Sequence, residues 1–283
     1  MSVRSLFVLL VSSVIFAGCT TEKEEWKPLF NGKDLSGWDT YLGPRYDTLL
    51  KKTDSIPVGL NNDPSGVFKV VRMGDENVLR ISGENFGGIS TSDQYENYHL
   101  QLQFRWGELK WAPKKKNKRD SGLMYDAVGP HGADGGFWMR SHEFQIEEGD
   151  CGDYWACAGA MADIKVRKDA NGDFVYDESG ELMTFGIKSP IGRHCVKYPD
   201  AEKPSGEWNT LDLYCLGSTS IHVVNGKVNM VLHNSRQLTE NREIPLTKGK
   251  IQLQSEGSEI YYRDIKICQI SKLPDLTRIG KGK

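Results

Sequence analysis

Glu143, Gln145 and Glu147 alternate with Phe144 and Ile146. In an extended strand successive side chains point to opposite sides, so the three polar groups share one face and the two apolar ones the other. Glu143 and Glu147 then stand roughly 13 Å apart along a straight strand. Their side chains can lean toward a sugar lying between them, one as proton donor and one as base or nucleophile. Gln145 stays neutral between them and can donate or accept a hydrogen bond. These three are the candidate catalytic residues. Gln252, Gln254 and Glu256 form a second polar row, set against Ile251 and Leu253. Gln101, Gln103 and Arg105 form a third, against Leu102 and Phe104. The expectation is one polar concave sheet, with the Arg105 row equally suited to the convex side.

Other residues surround that face. Asp150 and Asp153 follow the strand, close to Trp155. Aromatic rings stack on sugar faces, so Trp155 or Trp138 would form a subsite. Arg119 and Asp120 enter the run that ends at Tyr125, and either could clamp a hydroxyl or an enolate. Arg119, Asp120, Tyr125, Trp138, Asp150, Asp153, Trp155, Gln254 and Glu256 are the candidate substrate contacts. The six histidines are scattered, with no H-x-H or H-E-x-x-H spacing. His142 and Glu143 could join a distant histidine around a divalent ion, although alternation puts His142 on the Phe144 face. No cofactor is required by the pattern. Asp169, Asn171 and Asp173 resemble half a calcium loop but lack its later glycine and glutamate, so they read as an acidic hairpin tip.

Strands must position these groups. Tyr98 to Trp106 alternates cleanly, as do Trp208 to Leu216 and Lys250 to Ser255. Asn225-Gly226 lies between two apolar runs, the pattern of a type I′ hairpin. The run from Ile260 to Ile270 slips in phase near Asp264, which predicts a bulge. Pro44 to Pro64 lacks periodicity and reads as a long surface loop, as does the glycine-rich Gly129 to Trp138. Short strands with turn chemistry between them predict an all-β, antiparallel sandwich or barrel in one domain.

The start of the chain reads as a targeting segment. Arg4 precedes an apolar run from Leu6 to Phe16, followed by Ala17-Gly18-Cys19. Residues 1–18 resemble a bacterial lipoprotein signal, with Cys19 the lipidated residue and 19–27 a tether. The domain is expected over 28–272, with a tail at 273–283. The formal net charge of -2 gives no basic field for nucleic acid. Lys114 to Arg119 is the one basic run, read as a solvated loop. Five further cysteines are an odd number, so at least one has no intrachain partner, and Cys215 and Cys268 read as small buried apolar residues.

Several motifs occur in order: Leu29-Phe30-Asn31-Gly32-Lys33-Asp34-Leu35-Ser36-Gly37-Trp38, Asp120-Ser121-Gly122-Leu123-Met124-Tyr125, Glu143 through Trp155, Gly206-Glu207-Trp208-Asn209, and Tyr261-Tyr262-Arg263-Asp264-Ile265. Together they resemble the 3-keto-disaccharide hydrolase domain family across nearly the whole chain. The resemblance implies a concanavalin A-like (lectin/glucanase) jelly-roll β-sandwich. It also implies cleavage of glycosides already oxidised at C3 by a separate oxidoreductase, in a protein lipid-anchored to the bacterial cell envelope, at the outer membrane. A C3 ketone acidifies the C2 proton, so the leaving group at C1 can depart by elimination, and water then adds. E-x-Q-x-E also resembles the E-x-D-x-E strand of laminarinase-type glycosidases, with Gln145 where those carry an aspartate. A non-catalytic carbohydrate-binding lipoprotein and a conventional retaining glycosidase are the alternatives.

Overall fold

The computed structural model describes residues 25–279. The signal-like segment and Cys19 lie outside the described residues. The chain forms two antiparallel sheets, with no α-helix among the described residues and a single 3₁₀ turn at Leu276–Arg278. The smaller sheet has eight strands, in the order His194–Cys195, Tyr154–Cys157, Arg140–Glu147, Asp120–Val128, Lys250–Ser255, Gly87–Thr91, Trp38–Asp47 and Lys52–Leu60. The larger has twelve, with Tyr98–Lys110 at its centre between Asn209–Leu216 and Ser258–Gln269. This is a jelly-roll β-sandwich.

Alternation decides which side of each strand meets the core. Leu123, Phe144, Ile146, Ile251 and Leu253 of the smaller sheet pack against Leu100, Leu102, Phe104, Leu211, Leu213 and Tyr262 of the larger. A second cluster, around Tyr154, Ile164, Phe185 and Met230, continues the core beneath the other end of the sandwich. Between the sheets lies a buried polar network. The Tyr125 hydroxyl meets Ser220 Oγ at 2.8 Å and His222 Nε2 at 3.0 Å, and Phe144 stacks on His222 with ring centroids 4.1 Å apart. Burial holds both His142 and His222 down at about 3, so both rings are neutral.

Turn chemistry places the connections. Asn225 (φ 48°) and Gly226 (φ 76°) both take positive φ, as a type I′ turn between Thr219–Val224 and Lys227–Thr239 demands. The last long strand shifts register between Arg263 and Lys266, around Asp264 at φ 52°. Asp169 accepts from the backbone of Asn171 and Asp173, forming the acidic tip.

Two expectations are corrected. Pro44 to Pro64 is not a loop. It falls largely within the hairpin of Trp38–Asp47 and Lys52–Leu60, whose outer strand is exposed on both faces and so lacks alternation. Gln101, Gln103 and Arg105 belong to the larger sheet, where Gln101 bonds Asp212 and Gln103 meets Arg263 and Thr210. They cannot share a face with Glu143.

Asp126 sits in a bulge of the strand Asp120–Val128 at φ 50°, fully buried, with Oδ1 unpartnered. Burial pushes its carboxyl up to about 8. An unfolded aspartate ionises near 4. Between these values the folded chain therefore holds a proton that the unfolded chain has lost, and stability falls as pH rises from about 4 through about 8. An asparagine at this position would also tolerate the left-handed conformation. Asp126→Asn is expected to flatten part of that decline, read as urea midpoints from pH 5 to 8. A variant with the same slope as the parent would show that Asp126 is not the titrating group.

Candidate functional site

The outer face of the smaller sheet collects the polar rows. Cross-strand neighbours share a face, so the register aligns Ser90, Gln252, Met124, Glu143, Trp155 and His194 across six strands. One step along, Gly88, Gln254, Gly122 and Gln145 form the adjacent row. Asp120 and Glu147 pair in the next. Glu143, Gln145, Asp120, Gln254 and Glu256 are all buried, and Glu147 is partly exposed at the border.

Glycine makes the middle of this floor. A Cβ on Gly122 would stand 2.5 Å from Glu143 Oε1 and 2.7 Å from Gln254 Oε1, and one on Gly88 would stand 2.8 Å from the Gln252 side chain. The missing side chains let the long Glu143, Gln254 and Gln252 chains fold flat across the sheet. Met139 N donates to Gln252 Oε1 at 3.1 Å, and the Tyr41 hydroxyl donates to Gly136 O at 3.3 Å, so the glycine-rich loop is strapped over the floor. Arg193 meets Asp134 of that loop at 3.2 Å.

Two carboxyl groups hold one ammonium, and a third, Glu143, lies close enough to feel both of them. Lys114 pairs with both Asp120 and Glu256. Gln145 Nε2 donates to Asp120 Oδ1 at 3.1 Å and to Glu147 Oε2 at 3.3 Å. Burial pushes Glu143 up to about 8, and the nearby Asp120 charge adds to the push. Burial also raises Asp120 to about 6, against the pull of Lys114. Glu256 is driven well above the carboxylate range by burial and by Asp120. Burial alone would lower Lys114, but Glu256 and Asp120 outweigh it and hold the ammonium charged. Three ionised carboxylates beside one cation in a desolvated site would carry uncompensated charge, so protons are retained. At neutral pH Glu143 is therefore a neutral acid. Cys157 Sγ donates to Glu143 Oε2 at 3.3 Å, and Gln254 Oε1 on the adjacent row is buried without a partner.

Ser90 Oγ, Gln145 Oε1 and Gln252 Nε2 are also buried and unpartnered. All three lie on this face. A buried polar group left unmatched costs about 1–3 kcal/mol, so a cluster of them on one floor suits a ligand rich in hydroxyls.

Other expected contacts fall elsewhere. Tyr125 is in the core and cannot touch a ligand on the outer face. His142 also faces inward, bonded to Tyr154 and Ser235, so it cannot share a metal with Glu143. Among the described residues no group of His, Cys, Asp and Glu converges to hold a metal ion. Arg119 turns away to Glu148 at 3.0 Å and Gly107 O at 3.1 Å. Asp150 is tied to Lys118 and Lys197 in its loop. Asp153 is buried, accepting from Lys197 N at 2.9 Å and meeting His194 Nε2 at 2.8 Å. Trp155 is on the site face, but its ring stacks on His194 at 4.3 Å and carries Arg193 at 5.3 Å. Trp138 donates to Gly87 O at 3.0 Å at the margin of the floor.

Lys114 is the main residue the sequence reading missed, because it heads a run whose next two members are exposed lysines. Gly122 carried a signal: a glycine inside a strand pattern marks a close approach. Cys157 and His194 carried none.

A family model, the 3-keto-alpha-glucoside-1,2-lyase-like domain, matches residues 25–268. The chain belongs to that family. It is a carbohydrate-active protein, and the family match takes in every strand of the floor. Solved structures similar to it include a candidate glycosyl hydrolase from Parabacteroides distasonis, with 21% identity over 87% of this chain and 100% of that one, at a TM-score of 0.48. A galectin-like protein of unknown function from Bacillus subtilis has 14% identity over 87% and 97%, at 0.41. The carbohydrate binding module CBM66 from Bacillus subtilis has 7% identity over 71% and 92%, also at 0.41. Comparison with curated proteins finds no match.

Gly122→Ala tests the floor. The side-chain ends of Glu143 and Gln254 can move aside, so the fold is expected to keep its stability to within about 1 kcal/mol. Glycoside binding is expected to weaken by about tenfold or more, because displacement of aligned groups is costly. Thermal melts beside titration calorimetry separate the two; unchanged binding would remove Gly122 and its neighbours from the site.

Proposed function

We propose that this protein cleaves 3-keto-glycosides by elimination across C1–C2 followed by hydration. The observation that carries this reading is the Lys114 ammonium paired with the buried Asp120 and Glu256, beside a buried Glu143 whose proton affinity Asp120 raises further. Asp120, ionised above about 6, takes the C2 proton. The electron pair moves toward the C3 carbonyl, and Lys114 stabilises the enolate oxygen. The enolate collapses, the C1–O bond breaks, and Glu143 donates its proton to the departing oxygen. Water then adds at C1 of the enone and a proton returns to C2, leaving the free 3-keto sugar. Separated acid and base affinities of this kind are what acid–base pairs in one site require. The 1,2-lyase description of the family supports elimination over displacement.

Gln145 keeps its place in this scheme as a positioning residue, since its amide holds Asp120. Glu147 touches Gln145 at the border and lies two rows from Glu143, so its role shifts from paired catalyst to modulator of Asp120. The substrate would come from an oxidoreductase acting at sugar C3. We further propose export with lipid attached at Cys19, which a palmitate-labelling experiment on the Cys19→Ser variant would check.

The test is turnover of a panel of 3-keto-glucosides beside their unoxidised parents. Cleavage is expected only of the oxidised members. Cleavage of the parents alone would support a retaining glycosidase instead, and binding of both without cleavage a lectin. Glu143→Gln and Asp120→Asn are each expected to lower kcat by about 10²–10⁴-fold. The rate should rise with pH as Asp120 ionises near 6 and fall as Glu143 loses its proton near 8. Glu143→Gln should abolish the falling limb of whatever rate remains.

A further inference from the structure

A groove adjoins the carboxyl cluster, and its chemistry differs from that of the floor. Its lining is mostly apolar, with Pro44, Phe86, Ala112, Pro113 and Phe137, and carries polar groups at Tyr46, Thr53, Glu84 and Asn85. Ala112 and Pro113 lead directly into Lys114, whose Nζ stands 6.0 Å from the centroid of the Phe86 ring. The groove and the Lys114–Asp120–Glu256 cluster therefore share a wall. Phe86 and Phe137 meet edge to face at 5.4 Å. A Cβ on Gly43 would lie 2.4 Å from Phe137 Cδ1, so residue 43 must be glycine for that ring to lie where it does.

Asn85 is already engaged with the groove's own backbone. Asn85 Nδ2 donates to Gly43 O at 3.2 Å and to Phe86 O at 3.4 Å. The Asn85 backbone carbonyl accepts from Ser255. A second pyranose carries hydroxyls all round its ring, and those that meet the proline and phenylalanine walls would be buried unmatched, which is unfavourable. A flat apolar ring would meet aromatic edges and proline faces, with its own hydroxyls reaching Tyr46 and Thr53.

Resting on the reaction proposed above, we propose that this groove is the leaving-group subsite and that it takes a planar, phenol-type aglycone in preference to a second sugar. The 3-keto ring lies on the glycine floor, and the bond to be broken lies at the shared wall.

The test is calorimetric binding of phenyl glucoside, methyl glucoside and maltose, each with and without a C3 ketone, to the full chain carrying Glu143→Gln. The phenyl member is expected to bind about tenfold tighter than the methyl member, the gain from covering roughly half of an aromatic ring. Maltose should gain nothing over methyl glucoside. Phe137→Ala, added to the same chain, should erase the phenyl preference. Tyr46→Ser, on the projecting hairpin and outside the core, should reduce it even if the first variant folds poorly. Equal binding of phenyl and methyl members, tighter binding of maltose, or a preference that survives both variants would overturn the proposal. A phenyl preference in a protein that turns over no 3-keto substrate would refute the reaction and leave the subsite standing.

Discussion

One buried cation sets the terms for the whole floor. Lys114 reaches in from a loop and lies between Asp120, at the start of one strand, and Glu256, just past the end of its neighbour. Without it, those carboxyl groups and Glu143 would have to share a desolvated surface with nothing to balance them. With it, one carboxylate can remain ionised while others keep protons. The sandwich supplies the rest: adjacent antiparallel strands, in register, deliver side chains from four chain segments to one patch.

Glycine has the complementary role. A strand floor built of ordinary residues would stand its side chains upright and leave no flat surface for a ring. Gly88 and Gly122 remove two of them, and Gln252, Gln254 and Glu143 lie down across the space. The cost in backbone entropy that glycine brings to a strand is met by pairing on both sides.

Much of this was legible in the sequence, for a definite reason. Strand alternation is local, so Phe144 and Ile146 against Glu143 and Gln145, or Ile251 and Leu253 against Gln252 and Gln254, can be read from neighbouring letters. Asn225-Gly226 and the slip at Asp264 are local too. Which sheet a strand joins is not local. Gln101, Gln103 and Arg105 alternate as well as the Glu143 row, yet pair with Asn209–Leu216 and Ser258–Gln269 in the other sheet. The Lys52–Leu60 strand is exposed on both sides and so left no period. Tyr125 follows the Leu123 phase into the core, which its alternation with Met124 already implied. Lys114 was hidden because a loop lysine that turns inward has the same sequence surroundings as one that turns outward.

Cys151, Cys157, Cys195 and Cys215 are free thiols, and all are buried. Burial pushes each of them above the ordinary thiol range, so little thiolate forms. Thiol–disulfide exchange needs a thiolate with access to a disulfide. Each of these sulfurs is therefore chemically silent while the sandwich is closed and becomes reactive when it opens. The time the chain spends partly unfolded therefore gates its capture in a mixed disulfide, whatever the redox poise of its surroundings then favours.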